Sequence, residues 1–175
     1  GLSQKQRVLD VGCGSGALLG ELHEQVGGSV TGLDIDRGYL KLARQFSPQV
    51  ILLQADAHAL PLQTASFDLA LCHFVLLWVA EPVAVLREMA RITRPGGSVL
   101  ALAEPDYSGR IDYPPELERL GSWQRQALQQ QGADPTAGRK LAGWFAEAGL
   151  VDIEAGILGS QWLAADTAAQ DQLER

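Results

Sequence analysis

The stretch Val8-Leu9-Asp10-Val11-Gly12-Cys13-Gly14-Ser15-Gly16-Ala17 decides how this chain is read. Val8, Leu9 and Val11 form a short apolar run, the pattern of a buried strand, and the alternating glycines break it into a sharp turn before a helix opens. Without Cβ atoms at Gly12, Gly14 and Gly16, the main chain can bend and a ligand can come close to it. Such a turn aims helix N–H groups at its guest, an arrangement that suits a phosphate. Asp10 alters that expectation. Two residues before the first glycine, its carboxylate repels a diphosphate and welcomes an ammonium.

Outward from this turn, strands and helices alternate. Arg7 to Val11 is read as the first strand, Gly16 to Val26 as a helix, Ser29 to Asp34 as the second strand and Arg37 to Phe46 as the second helix, stopped before Pro48. Val50 to Gln54 is a short third strand, and the polar segment Ala55 to Ser66, with Pro61, is a loop. Phe67 to Cys72 is the fourth strand. A helix opened by Pro82 runs to Thr93, and Arg94-Pro95-Gly96-Gly97 turns into a fifth strand, Ser98 to Ala103. The alternation predicts a doubly wound α/β fold with a mostly parallel sheet covered on both faces.

After Glu104 the rhythm changes. Pro105 to Pro115 reads as a loop and Glu116 to Gln131 as an amphipathic helix carrying Leu117, Leu120, Trp123 and Leu128. Asp134-Pro135 opens a further helix that Gly149 ends, Val151 to Leu158 reads as a late strand, and Gln161 to Arg175 reads as helical. The expected organisation is one domain over 1–175. It comprises a cofactor-binding core (1–105), a substrate-side insert or lid (106–133), and a late helix, strand and tail (134–175).

Composition narrows the partners. The chain has 175 residues, 46% of them hydrophobic, and its 14 Lys and Arg against 21 Asp and Glu leave a formal charge of −7. No basic patch gathers, so a nucleic-acid backbone is not an expected partner. The longest apolar stretch, Phe74 to Ala80, is too short to span a bilayer, no secretion leader is evident, and a cytoplasmic location is expected. Cys13 and Cys72 form neither a metal pair nor a disulfide framework, and no His/Cys/Asp cluster has metal-ligand spacing. Met89 is the sole methionine and residue 1 is Gly, so a processed, tagged or trimmed product is expected.

Three acids, Asp10, Asp34 and Asp56, stand at the carboxyl ends of the first three strands, where an open α/β sheet places its ligand crevice. Asp34 is placed to accept ribose hydroxyls. Asp56 can accept from an adenine amino group, with the Ala57 N–H offered to a ring nitrogen, while Ile35 and Leu60 flank the purine. Asp10 meets the amino-acid end of the ligand. The set points to S-adenosyl-L-methionine.

The runs V-L-D-V-G-C-G-S-G (8–16), G-L-D-I-D (32–36), Q-A-D-A-H-A-L-P (54–61), S-F-D-L-A-L-C-H (66–73) and R-P-G-G-S-V (94–99) resemble class I S-adenosylmethionine-dependent methyltransferases, most closely the ubiquinone-biosynthesis-like small-molecule group. The resemblance is close over Val8 to Ala103, weaker over Asp134 to Leu158, and silent on 106–133. It implies a Rossmann-like sheet of order 3-2-1-4-5 plus a late strand, methyl transfer by in-line displacement, and a small-molecule acceptor. It further implies that Asp10 and Gly12, Cys13, Gly14 and Gly16 hold the methionine moiety, Asp34 and Ile35 the ribose and adenine, and Asp56 and Ala57 the adenine edge. His73 falls where cofactor sulfonium and acceptor meet and is the first candidate base, with Tyr107 the second. Two departures stand out: Leu77 occupies a position where many members carry histidine, and no seventh strand is evident after Leu158.

Other readings remain beside this one. Gly12-x-Gly14-x-x-Ala17 with Asp34 also satisfies the dinucleotide fingerprint of a nicotinamide-dependent oxidoreductase, although Asp10 would then face a pyrophosphate and Asp56 would have no role. A non-catalytic S-adenosylmethionine-binding module acting through a partner is also open. His73 alone is as readily a structural histidine, and His23 and His58 read as solvated surface residues. Glu104, Asp106 and Tyr107 could bind a substrate amine or act as a base, or form a solvated loop.

Overall fold

In the computed structural model, residues 5–27 and 29–157 are described. Five parallel strands form one sheet: β1 (Arg7–Val11), β2 (Ser29–Asp34), β3 (Ile51–Gln54), β4 (Phe67–His73) and β5 (Thr93–Leu102), in the order β3-β2-β1-β4-β5. Order reverses at β1, with β2 on one side and β4 on the other, and β1 pairs in register with both: Asp10 stands beside Gly32 and Leu71. The crevice that this fold offers a ligand opens at the carboxyl ends of these strands.

Period-two alternation divides the core between the two faces. Leu9, Val11, Leu33, Ala70 and Cys72 face α3 (Pro82–Ile92), whose Val85, Leu86, Met89 and Ile92 form a fully buried stripe, and α5 (Ala137–Glu147) adds Leu141, Trp144 and Phe145. Val8, Val30, Leu69 and Leu71 face α1 (Leu19–Val26) and α2 (Arg37–Phe46), meeting Leu19, Val26, Leu40 and Ala43. The alternation puts Asp10 on this second face, one step past Val8. α2 starts where Asp36 caps it, its Oδ1 accepting the N–H groups of Gly38 (2.6 Å) and Tyr39 (3.1 Å).

Several boundaries differ from the sequence reading, each for a local reason. α1 begins at Leu19 rather than Gly16, because Gly16 has φ +89° and cannot continue a right-handed helix. Arg94 to Gly97 lie within β5 as a bulge: Phe67 pairs with Thr93, and pairing then jumps to Leu69 with Ser98. Gly97 is required there, since a Cβ would sit 2.6 Å from the Asp68 carbonyl oxygen. The helix read from Glu116 is a 3-10 turn, Pro115–Leu117, followed by α4 (Glu118–Gln130). Asp134 does not cap α5 directly; it accepts from the N–H and hydroxyl of Thr136 (2.9 and 2.6 Å).

The late strand is the main correction. Val151 to Ile157 pairs with no strand, Asp152 turns left-handed (φ +53°), and Val151 and Ile157 are almost wholly exposed, so the segment lies off the sheet despite its apolar alternation. Leu158 and the expected helical tail, with Trp162, fall outside the described residues. Among those described, no helix is long and apolar enough to cross a membrane.

Candidate cofactor site

The glycine turn is built from backbone hydrogen bonds. The N–H groups of Gly12 and Cys13 both donate to the Leu33 carbonyl at the end of β2 (2.7 and 2.9 Å), and the Gly16 N–H donates to Cys13 (2.9 Å). Its glycines answer different demands. At Gly12, a Cβ would lie 2.5 Å from Cγ2 of Val75; at Gly16 it would press on Ala43 of α2. Only Gly14 faces open space, with nothing within 4 Å of that position. Two of the three glycines therefore serve close packing, and one leaves room for a guest.

Asp34 ties this turn to β2. Its Oδ2 accepts the Gly14 N–H and its Oδ1 the Asp36 N–H, both at 2.8 Å, and the residue is buried. Each carboxylate oxygen keeps a second lone pair, so the group can still accept from hydroxyl donors. Asp10 is buried more deeply, and its oxygens accept no hydrogen bond from a described residue. Burial and then the repulsion of Asp34 push its pKa up to about 7. A cation brought here relieves both causes; a diphosphate aggravates the second. The acid pair and the open Gly14 position fit a ligand with an ammonium group.

Cys13 lies within reach of both acids, and burial followed by the fields of Asp10 and Asp34 pushes its thiol up to about 12. Cys72 is raised by burial, then by Glu104 and Asp10. Both are free, buried, protonated thiols, and burial and neighbouring negative charge make poor nucleophiles of them.

Among the residues expected to meet the adenine, Ile35 is exposed just past the end of β2, and Gln54 Nε2 donates to its carbonyl (3.1 Å). Ala57 is half-buried, packed against the core. Asp56 has a partner invisible in the sequence: His58 donates its backbone N–H (2.9 Å) and places Nδ1 2.7 Å from the same Oδ1. The backbone bond, then the ring, lower the Asp56 pKa. His58 is therefore held by its neighbour rather than freely solvated. His23, also read as a solvated surface group, has a buried, unpartnered Nδ1.

At the end of β4, His73 is half-buried and stacks edge-on against Phe74 (5.0 Å between ring centres), itself left-handed at φ +57°. Tyr107 is half-buried and held by its backbone, its N–H donating to Pro135 (2.8 Å). No ring contact joins His73 to Tyr107, and neither side chain hydrogen-bonds to a described residue. Leu77, where the resemblance led to histidine, is core, buried with Ala133 and Ala137. Glu104 and Asp106 are not free acids either: Glu104 is buried against backbone amides, and Asp106 is paired with Arg139 (2.7 Å). Among the described residues no cluster of three metal-ligating side chains occurs.

Comparison with known proteins agrees with this architecture. Residues 9–101 match the family described as "Methyltransferase domain". The chain is 34% identical over 169 residues to a demethylmenaquinone methyltransferase of Geobacillus kaustophilus, covering 85% of this chain and 72% of that protein. It is 35% identical to a trans-aconitate 2-methyltransferase of Azoarcus sp. over 147 residues, covering 82% and 55%. A crystal structure of an S-adenosylmethionine-dependent methyltransferase from Mesorhizobium loti superposes with a TM-score of 0.53 at 30% identity, over 59% of this chain and 49% of that one. The chain spans 37% to 72% of the length of five curated relatives that it matches. Sheet order, glycine turn, acid pair and sequence matches converge, and the chain belongs to the class I S-adenosylmethionine-dependent methyltransferase family.

Proposed function

We propose that this chain is the cofactor-binding and catalytic core of an enzyme that methylates a small molecule. The observation that carries the reading is the buried Asp10–Asp34 pair beside the open Gly14 position. A carboxylate whose proton affinity is raised by burial and by a second carboxylate beside it makes a site for a cation and a poor one for a diphosphate. The turn Gly12, Cys13, Gly14, Gly16 with Asp10 takes the methionine moiety, Asp34 the ribose, Ile35 the adenine face, and Asp56 with Ala57 the adenine edge.

When bound, S-adenosylmethionine supplies a methyl group on an already activated sulfonium. The residues then have to position rather than activate, and alignment of this kind is worth roughly 7–11 kcal/mol in favourable cases. His73 faces the acceptor as the first candidate base and Tyr107 as the second; either is needed only where the acceptor must lose a proton, and adds roughly 10²–10⁴-fold. A small-molecule acceptor is supported by the net charge of −7, which disfavours nucleic acid. It is further supported by the names of the two relatives, which act on demethylmenaquinone and trans-aconitate.

Calorimetry separates the readings. S-adenosylhomocysteine should bind with micromolar affinity and NAD should give no heat; the reverse pattern overturns the assignment. Transfer of a labelled methyl group to a panel of phenols, amines, carboxylates and quinol precursors then tests turnover. Cofactor binding with no product across the panel would favour a non-catalytic module.

A further inference from the structure

Glu104 follows β5 and has no part in the site as assigned so far. It is 8% exposed, yet its carboxylate is well satisfied: Oε1 accepts the N–H groups of Val75 (2.7 Å) and Leu76 (2.8 Å), and Oε2 accepts that of Leu77 (3.1 Å). Three successive amides converge on one acid only where the backbone curls into a nest. The curl here is the turn that leaves β4 through left-handed Phe74 and closes with the Trp78 N–H on the Val75 carbonyl (2.9 Å). An anion-binding turn is thus filled by the chain's own carboxylate, with three of its acceptor positions taken by backbone donors.

The residue held most tightly in this way reaches the glycine turn. Cγ2 of Val75 lies 2.5 Å from the place a Cβ would occupy on Gly12, so the Val75 side chain is seated directly on the first glycine after β1. The backbone of Glu104 is equally constrained. Its carbonyl oxygen lies 2.6 Å from a would-be Cβ of Gly138, and the neighbouring Pro105 carbonyl accepts the Gly138 N–H (2.9 Å). The acid therefore sits where β5, the turn after β4 and the start of α5 meet. One side chain separates it from the Gly12–Gly16 turn.

We propose that Glu104 is a positioning residue for the cofactor turn, acting through Val75 on Gly12 without touching the ligand. The inference rests on the assignment of the Gly12–Gly16 turn to S-adenosylmethionine. Mechanically, the carboxylate fixes the amides of Val75 to Leu77, the fixed backbone presses the valine side chain onto Gly12, and the turn keeps the geometry in which Gly14 stays open. Replacing the carboxylate by the equally large carboxamide sets an NH₂ donor against amide donors, which loosens the turn while preserving volume.

The test is a double-mutant cycle read by calorimetry with S-adenosylhomocysteine on wild type, Glu104→Gln, Val75→Ala and the double variant. Each single variant should weaken binding by roughly 5- to 150-fold, the range for linked sites. The double variant should fall within about twofold of the weaker single one, because both interrupt the same contact. Amide exchange at Val75, Leu76 and Leu77 should quicken at least tenfold in Glu104→Gln while β1 amides keep their protection, on the order expected for local opening. Wild-type affinity in a folded Glu104→Gln whose 75–77 amides exchange faster overturns the proposal, as do losses that multiply in the double variant. Should Glu104→Gln not fold, wild-type affinity in Val75→Ala overturns it alone. Failure of the wild-type chain to bind S-adenosylhomocysteine is a separate result that sinks the parent assignment.

Discussion

At the carboxyl ends of β1 and β2, the backbone is pinned within the chain: Leu33 takes two N–H groups, Asp34 two more, Gly12 admits a neighbour too close for any Cβ and Gly16 packs tightly on Ala43. The segment over 106–133 is built differently. Ile111, Tyr113, Leu120 and Trp123 are exposed, and the only residue of α4 that is buried is Gly121. Its polar links include an Arg110–Asp112 ion pair and an Arg110–Gln124 bond, and it is tied to α5 at its start by the Asp106–Arg139 pair. The first region can hold one ligand in one geometry. The second exposes its large side chains to solvent, which suits the proposed acceptor side of a fold that varies function by its loops.

The largest test of this contrast substitutes alanine for glycine on each side. Gly12→Ala combines a positive φ of +72° with a 2.5 Å overlap on Val75, whereas Gly132, at φ +84°, has nothing within 4 Å. The first should cost about 2–5 kcal/mol in chemical denaturation, from backbone strain plus overpacking, and abolish measurable S-adenosylhomocysteine binding. The second should cost only roughly 1–2 kcal/mol of left-handed strain and leave the dissociation constant unchanged. Equal effects on binding would dissolve the distinction between the two regions.

Asp10→Asn sharpens the electrostatic half of the comparison. The folded-state pKa of Asp10 lies above its unfolded value, so its contribution to stability is complete below pH 4 and is lost as pH rises toward 7. Each pH unit across that window removes about 1.4 kcal/mol, a total on the order of 4 kcal/mol for so buried a group. The asparagine variant cannot ionise. Without ligand it should melt above wild type at pH 8 and level with it near pH 4, and it should bind S-adenosylhomocysteine more weakly by roughly 1.5–3 kcal/mol at pH 8. A variant less stable than wild type at pH 8, or one with unaltered affinity, contradicts the account of Asp10 as a carboxylate kept for a cation.

The same contrast explains what could be read from the sequence. β1, β2 and α2 were legible to the residue because apolar periodicity and the stop before Pro48 are local signals. The start of α1 was missed because nothing local distinguishes a glycine that opens a helix from one held at φ +89°. Val151 to Ile157 alternates like a strand, but strand pairing is a tertiary fact, and among the described residues the sheet has no strand after β5. Glu104 was visible as an acid at a strand end. Its role was not, since its partners are backbone amides 27–29 residues away and every residue type carries that donor. Asp56 and His58 are two residues apart, a pairing the spacing allowed and the sequence reading passed over.

The smallest effect is expected on α4, where it is also the most discriminating. Trp123 is 56% exposed, with Arg119 lying 5.4 Å above its ring, and Leu120 is exposed beside it. Removing an exposed side chain that fills no core position leaves stability within about 0.5 kcal/mol. The loss of an exposed cation–π contact adds no more than roughly 0.5–1 kcal/mol. Trp123→Ala should therefore melt close to wild type and bind S-adenosylhomocysteine unchanged, while turnover of whichever acceptor the panel identifies falls through a raised KM with kcat little altered. That split follows if the segment contributes uniform binding to the acceptor rather than contact with the reacting atoms. An unaltered KM would remove α4 from the acceptor site, and a weakened cofactor would show that the two regions are not separable.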